Sequence, residues 1–274
     1  MPKKKPITLK HKPKQRVGRP VLPDSQKKGF QKYYDEQLSQ KNAARKAAQD
    51  IGNIPAIKNP KRRAKALTEF QLFCETYFPE AFYLEWSNDH LKVIAKIEAA
   101  ITDGGLFAFA MPRGSGKTTL TMAAAIYAIL KGMRRYVVLI GSAVGQSLAL
   151  FQSVQAALLG NQLLLEDFPE VVFPIRALEN NAHRQRGQRY KGELTYPTWG
   201  THKIVFPTIS GSKASGCVIA VTSLDSNIRG QIHTTIKGKV LRPDLALIDD
   251  PQTRESAKSP EQTRQRLQIL NGDV

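Results

Sequence analysis

The stretch Gly105-Leu-Phe-Ala-Phe-Ala-Met-Pro-Arg-Gly-Ser-Gly-Lys-Thr-Thr119 constrains this chain more than any other. An apolar run, Leu106 to Met111, stops at Pro112, and a loop bearing Gly114 and Gly116 leads into an alanine-rich segment. The order predicts strand, phosphate-cradling loop and helix N-terminus, where freed backbone amides and the helix dipole both favour anionic oxygens. Lys117 would reach the outer phosphates of a nucleotide and the Thr118 hydroxyl would hold Mg²⁺. Pro112, Arg113, Gly114, Ser115, Gly116, Lys117, Thr118 and Thr119 are therefore the candidate ATP-binding residues. The usual Walker A pattern, G-x-x-x-x-G-K-[ST], wants a glycine where this chain has Met111. The competing reading is a glycine-lysine-threonine turn that binds no nucleotide.

Hydrolysis also requires carboxylates, one to manage the metal and one to orient water. Leu245-Ala-Leu-Ile-Asp249-Asp250-Pro251 supplies an apolar strand ending in two acids. Such a strand delivers its carboxylates to the edge of a sheet where ligands gather. Asp249 is then the candidate metal residue and Asp250 the catalytic acid; the plainer reading is a strand closed by an Asp-Asp-Pro turn. Lys117 and Asp249 stand 132 positions apart. That distance leaves room for intervening strands and argues against a small nucleotide kinase. Arg113, inside the loop, is placed to neutralise charge developing in phosphoryl transfer, or to pair structurally with the acids. Arg229, in Asn227-Ile-Arg-Gly230, is a candidate nucleotide sensor, with a structural or DNA-facing role as the alternative. Trp86 and His90 suit an adenine-binding sandwich, or equally a core tryptophan and a capping-turn histidine.

Charge divides the chain. Residues 1–65 carry 19 Lys and Arg against 4 Asp and Glu, a net of +15 within a total of +18. With prolines at 2, 6, 13, 20 and 23, residues 1–30 cannot bury a core, and the expectation is a disordered arm that meets polyanions or is merely a solvated tail. Residues 31–50 have helix propensity with a thin apolar face. Gly52, Pro55 and Pro60 mark a linker, so the expected division is a basic arm and linker over 1–61 and a folded domain over 62–274. No apolar run reaches the length of a membrane span, and the lysines at the N-terminus precede no apolar signal region. Cys74 and Cys217 have neither metal spacing nor a disulfide partner pattern, and read as reduced core residues of a cytoplasmic protein.

Within the domain, Thr68-x-x-Gln71 predicts a capping box. A second helix is expected from Ser87 or Asn88, a third over Lys117–Leu130 and a fourth over about Val144–Leu159. Strands are expected at Leu106–Met111, Tyr136–Ile140, Lys203–Pro207, Cys217–Thr222 and before Asp249. Residues 178–200 read as an exposed basic segment without clear periodicity. Strands alternating with helices predict an α/β fold, a largely parallel sheet with helices on both faces.

Several stretches together resemble the large terminase subunits of tailed phages. They are Phe73-Cys-Glu-Thr-Tyr-Phe-Pro-Glu-Ala-Phe82, Trp86-Ser-Asn-Asp-His90, Phe107–Leu120, Gly211-Ser-Lys-Ala-Ser-Gly216, Ile228-Arg-Gly230 and Arg242–Gln252. The resemblance covers about residues 62–274 and implies a P-loop NTPase core that drives a viral DNA-packaging motor. It implies ATP and Mg²⁺ as cofactors and double-stranded DNA, a small terminase subunit and a portal protein as partners. The active form would be a homo-oligomeric ring in the host cytoplasm, with no membrane. Phosphate loops of that family often carry an arginine at the place of Arg113 and depart from the usual glycine pattern. By the same resemblance Lys117 and Arg113 act in catalysis and Thr118 and Asp249 hold the metal. Trp86 and His90 fall in the adenine-reading segment, with His90 where a glutamine is common. Asp250 stands where a longer glutamate is common. The family's nuclease acids have no counterpart here: Glu255, Glu261 and Asp273 follow Asp250 without strands to hold them. No nuclease activity is expected. Two alternatives stay open, another DNA-dependent ATPase of helicase type and a DNA-binding module with a degenerate nucleotide site.

Overall fold

A computed structural model describes residues 31–42, 49–226, 228, 230–236 and 238–273. They fall into two compact units, divided between Arg45 and Lys46. In the first, residues 31–42 form helix α1, as their propensity predicts. The expectations for the arm 1–30 and for the Ala43–Ala48 run lie outside the described residues.

The second unit runs α2 (Pro60–Ala66), α3 (Phe70–Tyr77), α4 (Asn88–Thr102), α5 (Lys117–Lys131), β1 (Tyr136–Gly141) and α6 (Val144–Gly160). Short helices α7 (Gln162–Asp167), α8 (Pro169–Arg176) and α9 (Ala182–Gly187) follow, then β2 (Arg189–Tyr190), β3 (Glu193–Leu194), β4 (Thr198–Trp199), β5 (Lys203–Val205) and β6 (Val218–Ser223). The chain closes with β7 (His233–Thr234), β8 (Val240–Leu241), β9 (Leu245–Asp249), α10 (Arg254–Lys258) and α11 (Pro260–Asp273).

One sheet of five strands, in the order β4-β5-β6-β1-β9, organises the unit. β1 sits between β6 and β9 and runs parallel to both. All six of its residues are buried, which is why Tyr-Val-Val-Leu-Ile-Gly reads as a continuous apolar run instead of alternating. Asp244 seats β9 against it by accepting the amides of Arg135 at 2.7 Å and Tyr136 at 2.9 Å. Val137 and Leu139 join the main core on one face of the sheet, with α3 to α6 and α8. Val138 and Ile140 face the other way, where Ile269 and Leu270 of α11 pack. Helix α5 is the hub of the main core: Met122 through Leu130 are all buried. A helix apolar all round has to be surrounded, and Phe70 and Phe73 of α3 close on Tyr127 with ring centroids 5.3 and 5.1 Å away.

Four expectations need correction. The sheet is mixed, because β5 pairs antiparallel with β6 and β4 antiparallel with β5. A parallel neighbour needs a long crossover, whereas the short connection Gly200–His202 between β4 and β5 allows only the antiparallel return. The apolar run Leu106–Met111 is no strand of this sheet: it is extended without a ladder partner, and Leu106 is 99% exposed. Its apolar composition is that of a buried strand, but among the described residues the edge strand β9 pairs only with β1. The Thr68 capping box does not form. Thr68 Oγ1 instead donates to Lys65 O at 2.7 Å, and the Phe70 amide at the start of α3 is taken by the Glu98 carboxylate at 3.2 Å. Finally, the aperiodic basic stretch holds α9 and the β2–β3 ribbon around buried Gln188 and Thr195, whose side chains bond each other at 2.7 Å. Local polar pairing, invisible as periodicity, orders it.

Residues 50, 51 and 58, ahead of Pro60, are bonded into the second unit. Ile51 N donates to Arg189 O at 2.9 Å, Asp50 accepts from Gly192 N at 2.8 Å and Lys58 N donates to Glu166 O at 2.9 Å.

Candidate functional site

Parallel strands bring distant segments to one edge. In register, Gly141 of β1 faces Ser223 of β6 on one side and Asp249 of β9 on the other. The last residues of the three parallel strands therefore share the edge at which the 112–116 loop meets α5. Helix α5 begins where a helix following such a loop should, at Lys117, with Gly116 as its N-cap. Gly114 and Gly116 adopt φ values of +80° and +77°, left-handed backbone that a side chain would strain. The result is an open set of donors. Among the described residues, the amides of Gly114, Ser115, Gly116 and Lys117 make no backbone hydrogen bond. Ser115 Oγ closes the turn on itself by donating to Pro112 O at 2.7 Å.

Lys117 and Thr118 both reach the acids. Thr118 Oγ1 donates to Asp249 Oδ2 at 2.7 Å, and Lys117 Nζ lies 3.7 Å from Asp250 Oδ1. Lys117 Nζ also donates to the carbonyl of Met111 at 3.1 Å, so the residue in place of the usual glycine holds the lysine through its backbone. Burial pushes the Asp249 carboxyl above its ordinary value of 3.8, and the charge of Asp250 adds to this; the Thr118 hydroxyl and the Lys117 ammonium pull it back. Asp250 has φ +44°, which turns its half-exposed side chain toward Lys117. Arg113 is exposed and makes no ion pair with either acid or with any other described residue. Arg229 lies outside the described residues.

His90 meets this loop, and Trp86 packs beside it. Ser87 caps α4 by accepting from His90 N at 3.3 Å, which sets His90 on the first turn. His90 Nε2 is 3.0 Å from Ser115 O and Nδ1 is 2.7 Å from Ser87 Oγ. Trp86 Nε1 donates to Glu75 Oε1 at 2.7 Å, and its ring packs on Phe82 with centroids 5.0 Å apart. Phe82 in turn lies within 4.0 Å of where a Cβ on Gly116 would stand.

Sequence reasoning passed over Arg266. From α11 its Nη1 donates to Pro251 O at 2.9 Å and Ser142 O at 3.4 Å, and its Nη2 meets Asp225 Oδ1 at 3.1 Å. One guanidinium thus ties together the segments that leave β1, β6 and β9. It lies in a polar, weakly amphipathic segment with no motif to announce it.

The metal expectation can be set against the donors present. Thr118 and Asp249 offer adjacent hard oxygens, and no group of three or more His, Cys, Asp or Glu among the described residues could cage an ion. That fits Mg²⁺, which takes one or two protein oxygens together with nucleotide phosphates, better than it fits a dedicated all-protein site. No described helix is long and apolar enough to cross a membrane.

No family model matches the chain, and neither a curated protein nor a solved structure matches it significantly.

Proposed function

We propose that this chain is a nucleoside-triphosphate phosphohydrolase, an ATPase domain of the kind that drives DNA packaging in large terminase subunits. One observation carries the reading. Thr118 and Lys117, directly after a loop whose amides make no backbone hydrogen bond to a described residue, reach Asp249 and Asp250 from 131 and 133 positions away in the sequence. A turn with no nucleotide to hold has no need of both a free amide nest and a pair of carboxylates at one sheet edge.

In this reading the amides of Gly114 to Lys117 and the Lys117 ammonium bind phosphate oxygens, and the bond from Lys117 to Met111 O fixes the lysine's direction. Thr118 and Asp249 would hold Mg²⁺, whose chemistry there is to neutralise charge on phosphoryl oxygens. Asp250, half exposed and aimed by its positive φ, orients water and takes up its proton. Arg113, which pairs with no carboxylate among the described residues, supplies positive charge as the phosphoryl group departs. The motor role, with double-stranded DNA, a small subunit, a portal and a ring of copies, rests on the sequence resemblance and on the basic arm.

The acid is the place to test the chemistry. Asp250→Asn should leave nucleotide affinity within about threefold of wild type while lowering turnover by about 10² or more, in line with the usual worth of a general base. Equal loss of affinity and turnover would make Asp250 a loop support and not the acid of the reaction.

A further inference from the structure

We infer that His90, with Trp86 packed beside it, serves the phosphate loop and that neither residue reads a base edge by hydrogen bonds, so that the site selects its ligand by the triphosphate with little discrimination between purines. The inference rests on the nucleotide reading of the glycine loop and adds the substrate class to it.

Polar atoms decide between the two roles. Reading a purine edge takes hydrogen-bonding groups free to face it, and a site built that way can reject the wrong partner by 10⁴-fold or more, on the order of the best cases known. Neither residue has such a group to offer. Trp86 has one donor, Nε1–H, and it goes to Glu75 at 2.7 Å; the same carboxylate oxygen also accepts from Gln71 at 2.8 Å. His90 has two ring nitrogens and both are engaged. A carbonyl oxygen only accepts, so Nε2–H donates to Ser115 O, and in the neutral ring Nδ1 accepts from the Ser87 hydroxyl. Ser87 Oγ is held in turn, since it also accepts the His90 amide as the N-cap of α4. The apolar surfaces point the same way: Phe82, Trp86 and His90 form a row with centroid separations of 5.0 and 5.9 Å, and Phe82 approaches Gly116. His90, on the first turn of α4, braces the loop at Ser115 O, while the acids hold Thr118 and Lys117 at the start of α5.

Bracing acts on every ligand that uses the loop, whatever its base. The test measures binding of ATP, GTP and inorganic tripolyphosphate with Mg²⁺ to the full chain, by competition against a fluorescent nucleotide. Wild type should bind ATP and GTP within about tenfold of each other. His90→Ala should weaken all three ligands by the same factor, about fivefold for one hydrogen bond, and His90→Gln, which keeps a donor within reach of Ser115 O, should recover most of it. A wild-type preference for ATP over GTP of 10³-fold or more, on the scale of true edge reading, overturns the inference without need of any variant. So does a His90→Ala loss confined to ATP with tripolyphosphate unchanged. If wild type and Lys117→Ala alike bind none of the three, the nucleotide reading fails and takes this inference with it.

Discussion

Asp167 has no exposed surface and still carries a carboxylate, which only a full set of partners makes tolerable. Arg62 meets it with two donors, Nε at 2.6 Å and Nη2 at 2.8 Å, and Tyr77 donates its hydroxyl at 2.9 Å. Burial first, and the bond to Asp167 second, push the Tyr77 phenol far above its ordinary value. Asp167→Ala takes a hydrogen-bond partner from the buried Tyr77 phenol and leaves the partly exposed Arg62 with Glu166 alone. It should cost about 1–3 kcal/mol in urea unfolding, beyond the change from Lys92→Ala, whose pair with Asp89 is exposed. Asp249 behaves oppositely. Its folded value is raised, so the native state binds protons more tightly than the unfolded chain, and its charge costs stability as pH rises above 3.8. Asp249→Asn keeps an acceptor for Thr118 and removes that charge. Its melting temperature without nucleotide should equal or exceed wild type at pH 7, and the difference should shrink as pH falls toward 3.8. A melting temperature clearly below wild type at pH 7 would mean that the charged form is the one the fold prefers. The two cysteines are buried, and burial pushes the Cys217 thiol to about 11 and that of Cys74 well above 9.0. Neither should react with a thiol reagent until the protein unfolds.

At the scale of elements, Leu106 and Leu139 look alike in sequence, each an apolar residue in a β-patterned run, yet one is 99% exposed and the other fully buried. Leu139→Ala should cost about 2–5 kcal/mol, and Leu106→Ser should stay within about 0.5 kcal/mol; a large loss at Leu106 would show that its run is packed in solution. The contrast marks the limit of periodicity. It identified β1, β6, β9, α4 and α5 because each buries apolar side chains against a neighbour its own pattern anticipates. It misassigned 106–111 because whether a strand finds a partner is decided by the rest of the sheet, not by its own residues. It also missed the link from Arg266, since a guanidinium that bonds two carbonyls and an aspartate contributes nothing to a hydrophobic pattern. The candidate site was legible where chemistry demands particular residue types at particular spacings, as at Lys117, Thr118, Asp249 and Asp250. The partners of Trp86 and His90 were not, because residue type alone does not tell which group an indole or imidazole nitrogen meets. Arg266 holds the Pro251 turn just beyond Asp250, so Arg266→Ala should lower turnover by about tenfold or more while leaving nucleotide affinity near wild type, the pattern of a misplaced catalytic group. Loss of affinity with turnover intact would assign Arg266 to binding.

For the molecule as a whole, the charge and the candidate chemistry occupy different parts of the chain. Residues 1–65 hold +15 of the +18, and the remainder, with the glycine loop and the acids, is close to neutral. Deleting residues 1–60 should therefore weaken DNA binding and flatten its salt dependence by about 0.9 in the log–log slope for each phosphate that the arm neutralises. An unchanged slope would leave the arm without a part in DNA binding. The central claim, that the folded unit hydrolyses nucleoside triphosphates at the edge where α5 meets β9, is tested most directly by phosphate release from ATP and Mg²⁺ with wild type and Lys117→Ala prepared side by side. The account predicts turnover by wild type and a drop of about 10² or more in Lys117→Ala, with both proteins equally folded by circular dichroism. Equal rates from the two would contradict it.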